Sequence, residues 1–242
     1  MSESNYDTQS KLVIDIIEKY FILSSESTDD DNDKFGKGIT EAKNDETKYI
    51  KNDFVERFSF VLLTILSGNT FLSSVYSKLY KKLISKYTIF EETLNTFIEN
   101  FKLKIEEEVH YIDPDKDYDG YCKYVKNNDN RKATSLFIVN LVKINGLDKQ
   151  YIISILEHFL TKSLQFIDME NKINEVEEIT DNIFIIVSNI YLVIYKTSQW
   201  KDNIYPIILQ ISKMKNKEHL SISSRIIFKY MDVQGFINKF SS

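Results

Sequence analysis

The chain has 242 residues, a formal net charge of −5 from 31 basic and 36 acidic side chains, and 43% hydrophobic residues. That length and apolar content suit one large globular domain or one domain with an arm, and exclude general disorder. One cysteine, Cys122, excludes an internal disulfide and a cysteine-rich zinc site, and an acidic balance excludes whole-molecule attraction to nucleic acid.

Only two prolines, Pro114 and Pro206, and six glycines interrupt the chain, which favours long helices over short strands with tight turns. The first residues, MSESNYDTQS, have no basic region or apolar stretch, so no secretory signal is expected. No apolar run approaches ~18 residues. A soluble protein in a reducing, cytoplasmic compartment is expected, with no membrane partner.

Leu12, Val13, Ile16, Ile17 and Tyr20 or Phe21 recur at helical spacing and predict a short helix over 11–23. SSESTDDDNDKFGKG follows, and residues 24–45 read as an acidic flexible linker. The domain organisation is thus an N-terminal helix plus linker over 1–46 and a helical-repeat domain over 47–242. Phe54, Phe58, Val61, Leu62 and Ile65 predict one apolar helix face, stopped by Gly68-Asn69. Phe71, Val75, Leu79 and Leu83 predict the stripe of the next helix, and Phe90, Leu94, Phe97, Ile98, Phe101 and Ile105 that of a third.

Residues Asp113 to Asn130 are crowded with Asp, Asn, Lys and Tyr and read as an irregular insert. A helix is then predicted over 131–145, ended by Gly146 in the left-handed conformation, with Asp148 capping a helix through Ile152, Ile153, Ile155, Leu156, Phe159 and Leu160. A long helix from about Glu175 to Lys196 follows, then one opened by Asp202 or Asn203 with Pro206 in its first turn. The last runs from Ser221 or Ser223 to Tyr230 or Asp232, with a tail through Phe236 and Phe240. Helix pairs recurring about every 40 residues with short connections predict an all-α fold, an α-solenoid of stacked antiparallel helix pairs of the HEAT/ARM type.

Chemistry is sparse. Asp115-Lys116-Asp117-Tyr118-Asp119-Gly120 matches the first half of an EF-hand loop, but Lys126 stands where the bidentate glutamate belongs, so the segment reads as a solvated acidic turn. His110, His158 and His219 lack metal-binding spacing, and His158 reads as a partly buried residue of its helix. Glu177-Glu178 reads as an exposed face. No glycine-rich phosphate loop is present, so neither cofactor, metal nor enzymatic activity is expected. Lys78, Lys81, Lys82 and Lys86 interleave with aromatic and apolar residues as an RNA-binding face would; a solvated helix side is the plainer reading.

Four stretches in order carry a resemblance: FVLLTILSGNTFLSSVYSKLYKKL from Phe60, RKATSLFIVNLVKINGLDKQYIISILEHFL from Arg131, NEVEEITDNIFIIVSNIY from Asn174 and SISSRIIFKYMDV from Ser221. Together they resemble the middle domain of eukaryotic translation initiation factor 4G, over about Tyr49 to Phe236. The chain departs from that family at Arg131-Lys132-Ala133-Thr134, where a longer basic run and a Gly-Asn pair are usual, and at Asn140, where an acid is usual. Small size and a Lys-, Asn-, Ile- and Tyr-rich composition suit a compact viral or protist version.

The resemblance implies a scaffold that holds both lobes of a DEAD-box RNA helicase of the factor 4A type, stimulates its ATPase cycle and so promotes translation initiation. It implies exposed helicase contacts at Arg131, Lys132, Asn140 and Lys143 for one lobe, and at Arg225, Lys229 and Asp232 for the other. Arg225 reads equally as a tie between one helix pair and the next. Tyr49 with Phe54-Val55 is similar to the peptide by which factor 4G grips a cap-binding protein, although the same residues begin a core-packing helix. Related scaffolds of mRNA decay, splicing or poly(A)-linked control, and a directly RNA-binding helical protein, are the alternatives.

Overall fold

The computed structural model describes residues 11, 12, 14, 15, 55–107 and 109–241. Residues 11, 12, 14 and 15 are helical and Ile14 is buried. The remainder of the predicted first helix, the acidic segment 24–45, the boundary at 46–47 and the Tyr49–Phe54 motif lie outside the described residues. Those described form helices joined by turns, without a strand.

The first long helix, α1, includes residues 55–67. It stops where expected: Gly68 N–H reaches the Thr64 carbonyl at 3.2 Å, and the Asn69 side chain accepts from Leu72 N–H at 2.9 Å. Its inward face differs from the predicted one. Ser59, Leu63, Leu66 and Ser67 are buried, whereas Val61 and Ile65 are 55% and 62% exposed. Apolar residues surround this helix, so periodicity alone does not select a side. The small Ser59 lets the helix close on α3 (Thr88–Glu107), with hydroxyl oxygens of Ser59 and Thr93 2.6 Å apart and Phe60 edge-on to Phe97.

Helix α2 (Ser73–Lys86) buries Leu79, Tyr80 and Leu83, but Phe71 lies in the preceding turn and is 93% exposed. Tyr80 is the residue around which this end is packed. Its ring meets Phe90 and Phe137 edge-on at 5.8 and 5.9 Å, and its hydroxyl donates to the Phe90 carbonyl at 2.9 Å. That satisfies the one polar atom a buried tyrosine brings inside.

The expected irregular insert is instead the start of the longest helix, α4 (Tyr118–Lys143). Asp117 makes this possible by accepting from Gly120 N–H at 2.9 Å, which caps an otherwise polar first turn. A helix from Tyr118 onward cannot wrap a cation as an EF-hand loop does. At its other end Asn145, not Gly146, takes the left-handed conformation, with φ 55°. Asn145 N–H bonds the Val142 carbonyl and Gly146 N–H the Leu141 carbonyl, the paired bonds of a Schellman stop. Space at Gly146 is tight: a Cβ there would stand 3.2 Å from Lys81 Cβ and 3.3 Å from Leu141 Cδ2, so those side chains would have to give by a few tenths of an ångström.

Asp148 caps α5 (Lys149–Ile167) as expected, accepting from Gln150 N–H at 2.7 Å. Helix α6 spans Ile173–Ile194. Neither Asp202 nor Asn203 opens the next element; a π turn over Trp200–Ile204 leads directly into α7 (Tyr205–Ser212). Pro206 has no N–H for a carbonyl four residues back, and the wider turn ahead of it absorbs that loss. The predicted tail is helical too: α8 runs Ser224–Ser241, with Ile226, Tyr230, Val233 and Ile237 as its buried stripe.

Successive helices form two rows. α2, α4, α6 and α8 neighbour one another along one row, and α3, α5 and α7 along the other, which α1 extends through its contacts with α3. This is an all-α, solenoid-like array. The later pairs begin at residues 88, 149 and 200, so the spacing is uneven rather than a regular 40, chiefly because α4 is 26 residues long.

The orientation of α1 is open to a direct check. Leu63→Ala should cost about 2–5 kcal/mol in urea denaturation, whereas Val61→Ala should stay within about 0.5 kcal/mol. The reverse order would mean that α1 presents its other face to α3.

Candidate functional site

Helix α6 begins with an acid-rich sequence, and its spacing divides those acids between two neighbours. Glu178 and Asn182 face α4, Glu177 faces α8, and Asp181 is reached from both. From α4, Arg131 brings Nε to 3.5 Å from Glu178 Oε1, and Lys132 brings Nζ to 3.5 Å from Glu178 Oε2 and 3.4 Å from Asp181 Oδ2. From α8, Arg225 donates to Glu177 at 2.7 Å and Asp181 at 3.1 Å, while Lys229 Nζ stands 3.6 Å from Asp181 and 4.5 Å over the Phe184 ring.

Uncharged side chains complete the set. Asn182 donates to Glu178 Oε1 and accepts from the Ser135 hydroxyl at 2.7 Å. Asn128 accepts from Arg131, and Ser223 donates to Glu177 at 2.9 Å. The network crosses three adjacent helices of one row and fixes their relative register.

Burial sets its titration. Glu178 is 4% exposed, and that desolvation holds its carboxyl above the usual carboxylate range despite Lys132, Arg131 and Asn182. Lys132 goes the other way. Burial alone would lower it, but Glu178 and Asp181 outweigh that in a side chain still 29% exposed, so its ammonium sits above the usual lysine value. The two directions agree physically, because desolvation falls harder on the more enclosed partner.

The residues singled out as helicase contacts are therefore placed differently from expectation. Arg131 is buried rather than exposed, and Glu178 is buried rather than part of an exposed acidic face. Arg131 and Lys132, assigned to one lobe, converge with Arg225 and Lys229, assigned to the other, on the same three carboxylates. Arg225 does tie one helix pair to the next. Asn140 is half-buried and donates to Ser73 of α2 at 3.0 Å. Lys143 is exposed, 3.4 Å from Asn189, although surrounding chain desolvates its ammonium enough to hold its pKa down. Asp232 is exposed on α8.

The lysines read as RNA candidates, Lys78, Lys81, Lys82 and Lys86, are all exposed on α2. Lys81 donates to the Ile144 carbonyl at 2.6 Å and so closes the carboxyl end of α4. His158 is half-buried on α5, as expected.

Glu178, Asp181 and Asn182 were missed as site residues. Their signal is the apolar sequence that follows them: a helix apolar enough to be enclosed on several sides must bury some of its own acids, and those need partners.

Among the described residues no group of His, Cys, Asp or Glu side chains is arranged to hold a metal ion, and no helix is long and apolar enough to cross a membrane. Compared with known protein families, curated proteins and solved structures, the chain matches none.

Glu178→Ala leaves Arg131 buried without its carboxylate and should cost about 3–5 kcal/mol, whereas Arg225→Ala, removing a guanidinium 63% exposed, should cost at most about 1 kcal/mol. Equal costs in chemical denaturation would mean that the buried arm of the network is not its structural half.

The pH dependence has a definite sign. With a folded-state pKa above its unfolded value, Glu178 makes the folded chain the better proton acceptor, so its contribution to stability grows as pH falls through the folded pKa. Lys132 contributes below the usual lysine pKa and loses that contribution as pH rises through its higher folded value. Between about pH 7 and about pH 4, the stability difference between wild type and Glu178→Gln should shift toward wild type. A shift toward the variant would show that the cations hold Glu178 ionised.

Proposed function

We propose that this chain is a translation-initiation scaffold of the factor 4G middle-domain kind, which binds a DEAD-box RNA helicase of the factor 4A type in the cytoplasm and stimulates it. The observation that carries this reading is one of order. The four stretches resembling that domain fall on α1–α2, α4–α5, α6 and α8 of a two-row helical array, in which each pair packs on the next. A rigid array that touches two lobes of a partner acts by population shift: it stabilises those lobe geometries in which both contacts are satisfied together.

The ion-pair network narrows the choice of contacts. Arg131 serves the array, and reversing Arg225 would set an acid against Glu177 and Asp181. The exposed Lys143 and Asp232 are the charged contacts that a partner on the α2–α8 row reaches without disturbing the fold. Direct RNA binding through α2 has less support, since Lys81 already serves the α4 carboxyl terminus.

The test is the RNA-stimulated ATPase rate of a factor 4A-type helicase with and without this protein. Stimulation is expected, and the double variant Lys143→Glu/Asp232→Lys should weaken complex formation by about 5-fold or more with the helical signal unchanged. No stimulation together with no co-elution would overturn the reading.

A further inference from the structure

Helix α8 is the last described helix of its row, and it packs on α6 and α7. Its buried stripe is Ile226, Tyr230, Val233 and Ile237. At ~100° per residue, Phe228, Met231, Asp232, Gly235 and Lys239 fall on the opposite arc. All five are exposed, Phe228 to 63% and Met231 to 49%.

Two features of this arc are unmatched within the chain. Asp232 and Lys239 carry opposite charges, and neither has an ion-pair partner among the described residues. Seven residues apart on one helix, they are separated by ~10 Å along its axis and cannot meet each other. Gly235, between them in mid-helix, has nothing within 4 Å of the point a Cβ would occupy. An exposed glycine inside a helix is less stable there than alanine, so no need within the chain accounts for it.

We infer that this arc is the interface of a symmetric dimer, in which a second copy of the chain lays its own α8 antiparallel on it about a two-fold axis beside Gly235. Asp232 lies ~4.5 Å along the helix on one side of that axis and Lys239 ~6 Å on the other, so each Asp232 comes opposite the other copy's Lys239. Because the contact is isologous, both ion pairs form together. Met231 then lies against the aliphatic stem of the opposing lysine, and Phe228 covers the last turn of the opposing helix. Gly235 on the axis lets the two backbones approach where side chains would hold them apart. A purely acidic or purely basic partner would satisfy only one of the two charges, whereas a copy of the same arc satisfies both. A contact one helix pair wide is at the low end of interface sizes, so the dimer is reversible, with a Kd of about 10–100 µM. The inference does not depend on the helicase reading. A dimer of this kind covers Asp232, so a partner using that residue binds the monomer.

The test is sedimentation velocity on the full chain alone, from about 5 to about 500 µM, where a reversible monomer–dimer equilibrium should appear. Asp232→Lys and Lys239→Asp should each raise the dimer Kd about 10-fold, and the double reversal Asp232→Lys/Lys239→Asp should restore it. Gly235→Gln should weaken the dimer while leaving the monomer at least as resistant to urea, a combination that a folding defect does not produce. Glu92→Lys on α3 and Phe71→Ser ahead of α2, both exposed and at the other end of the array, should change nothing. A chain that stays monomeric throughout, single reversals without effect, a double reversal that fails to restore the dimer, or its loss in Phe71→Ser would each overturn the inference.

Discussion

Helix α6 is enclosed by α4, α5 and α8, and more than half of its residues are buried, although its first three turns are rich in acids. Acids suit the amino-terminal end of a helix, where they oppose the positive end of its dipole. Flanked by neighbours, however, they cannot all reach water. Glu178 and Asp181 must therefore be met from outside the helix, and the basic residues of α4 and α8 meet them. Replacing a buried ion pair with apolar side chains is often neutral, whereas removing one partner is costly. The network consequently adds little to the total stabilisation, which rests on the apolar stripes of both rows, but it penalises any other register of α4 and α8 against α6.

The same division of labour recurs at the turns. Side chains of one helix pair satisfy backbone groups of another: Lys81 reaches the Ile144 carbonyl, and Ser221 accepts from Lys172 N–H and donates to the Met169 carbonyl. Asn203 donates to Glu157, and His219 lies 2.6 Å from Asp168. An array in which each pair touches only its neighbours has few long-range contacts to hold its geometry. Directional bonds at the turns supply the register that non-directional apolar packing leaves loose.

The helices with strong apolar periodicity, α3 and α5, were legible in the sequence almost residue by residue, and so were the Gly68-Asn69 stop and the Asp148 cap. What escaped was set by tertiary context. On α1 the apolar residues point several ways, and only contact with α3 decides between Val61 and Leu63. The polar start of α4 hides a helix because its stripe is made of tyrosines and its cap, Asp117, resembles a calcium ligand. Asn145 took a conformation assigned to Gly146, which instead lies close against Lys81 and Leu141. The candidate site was half visible: its cations stood out in the sequence, whereas the carboxylates that engage them read as an ordinary exposed face.

Engagement of those cations determines what kind of recognition the α2–α8 row can support. Arg131, Lys132, Arg225 and Lys229 are matched by Glu177, Glu178 and Asp181 within a few ångströms. Beyond a Debye length such a cluster is close to neutral, so it contributes little long-range steering. Selectivity on this row must then come from short-range contacts, and the exposed apolar residues of α8, Phe228 and Met231, are suited to provide them beside Asp232. A partner bound this way would depend less on ionic strength for its affinity than one captured by free arginines and lysines. It would also leave the network intact, so the chain could hold such a partner without loosening the register of its own helices.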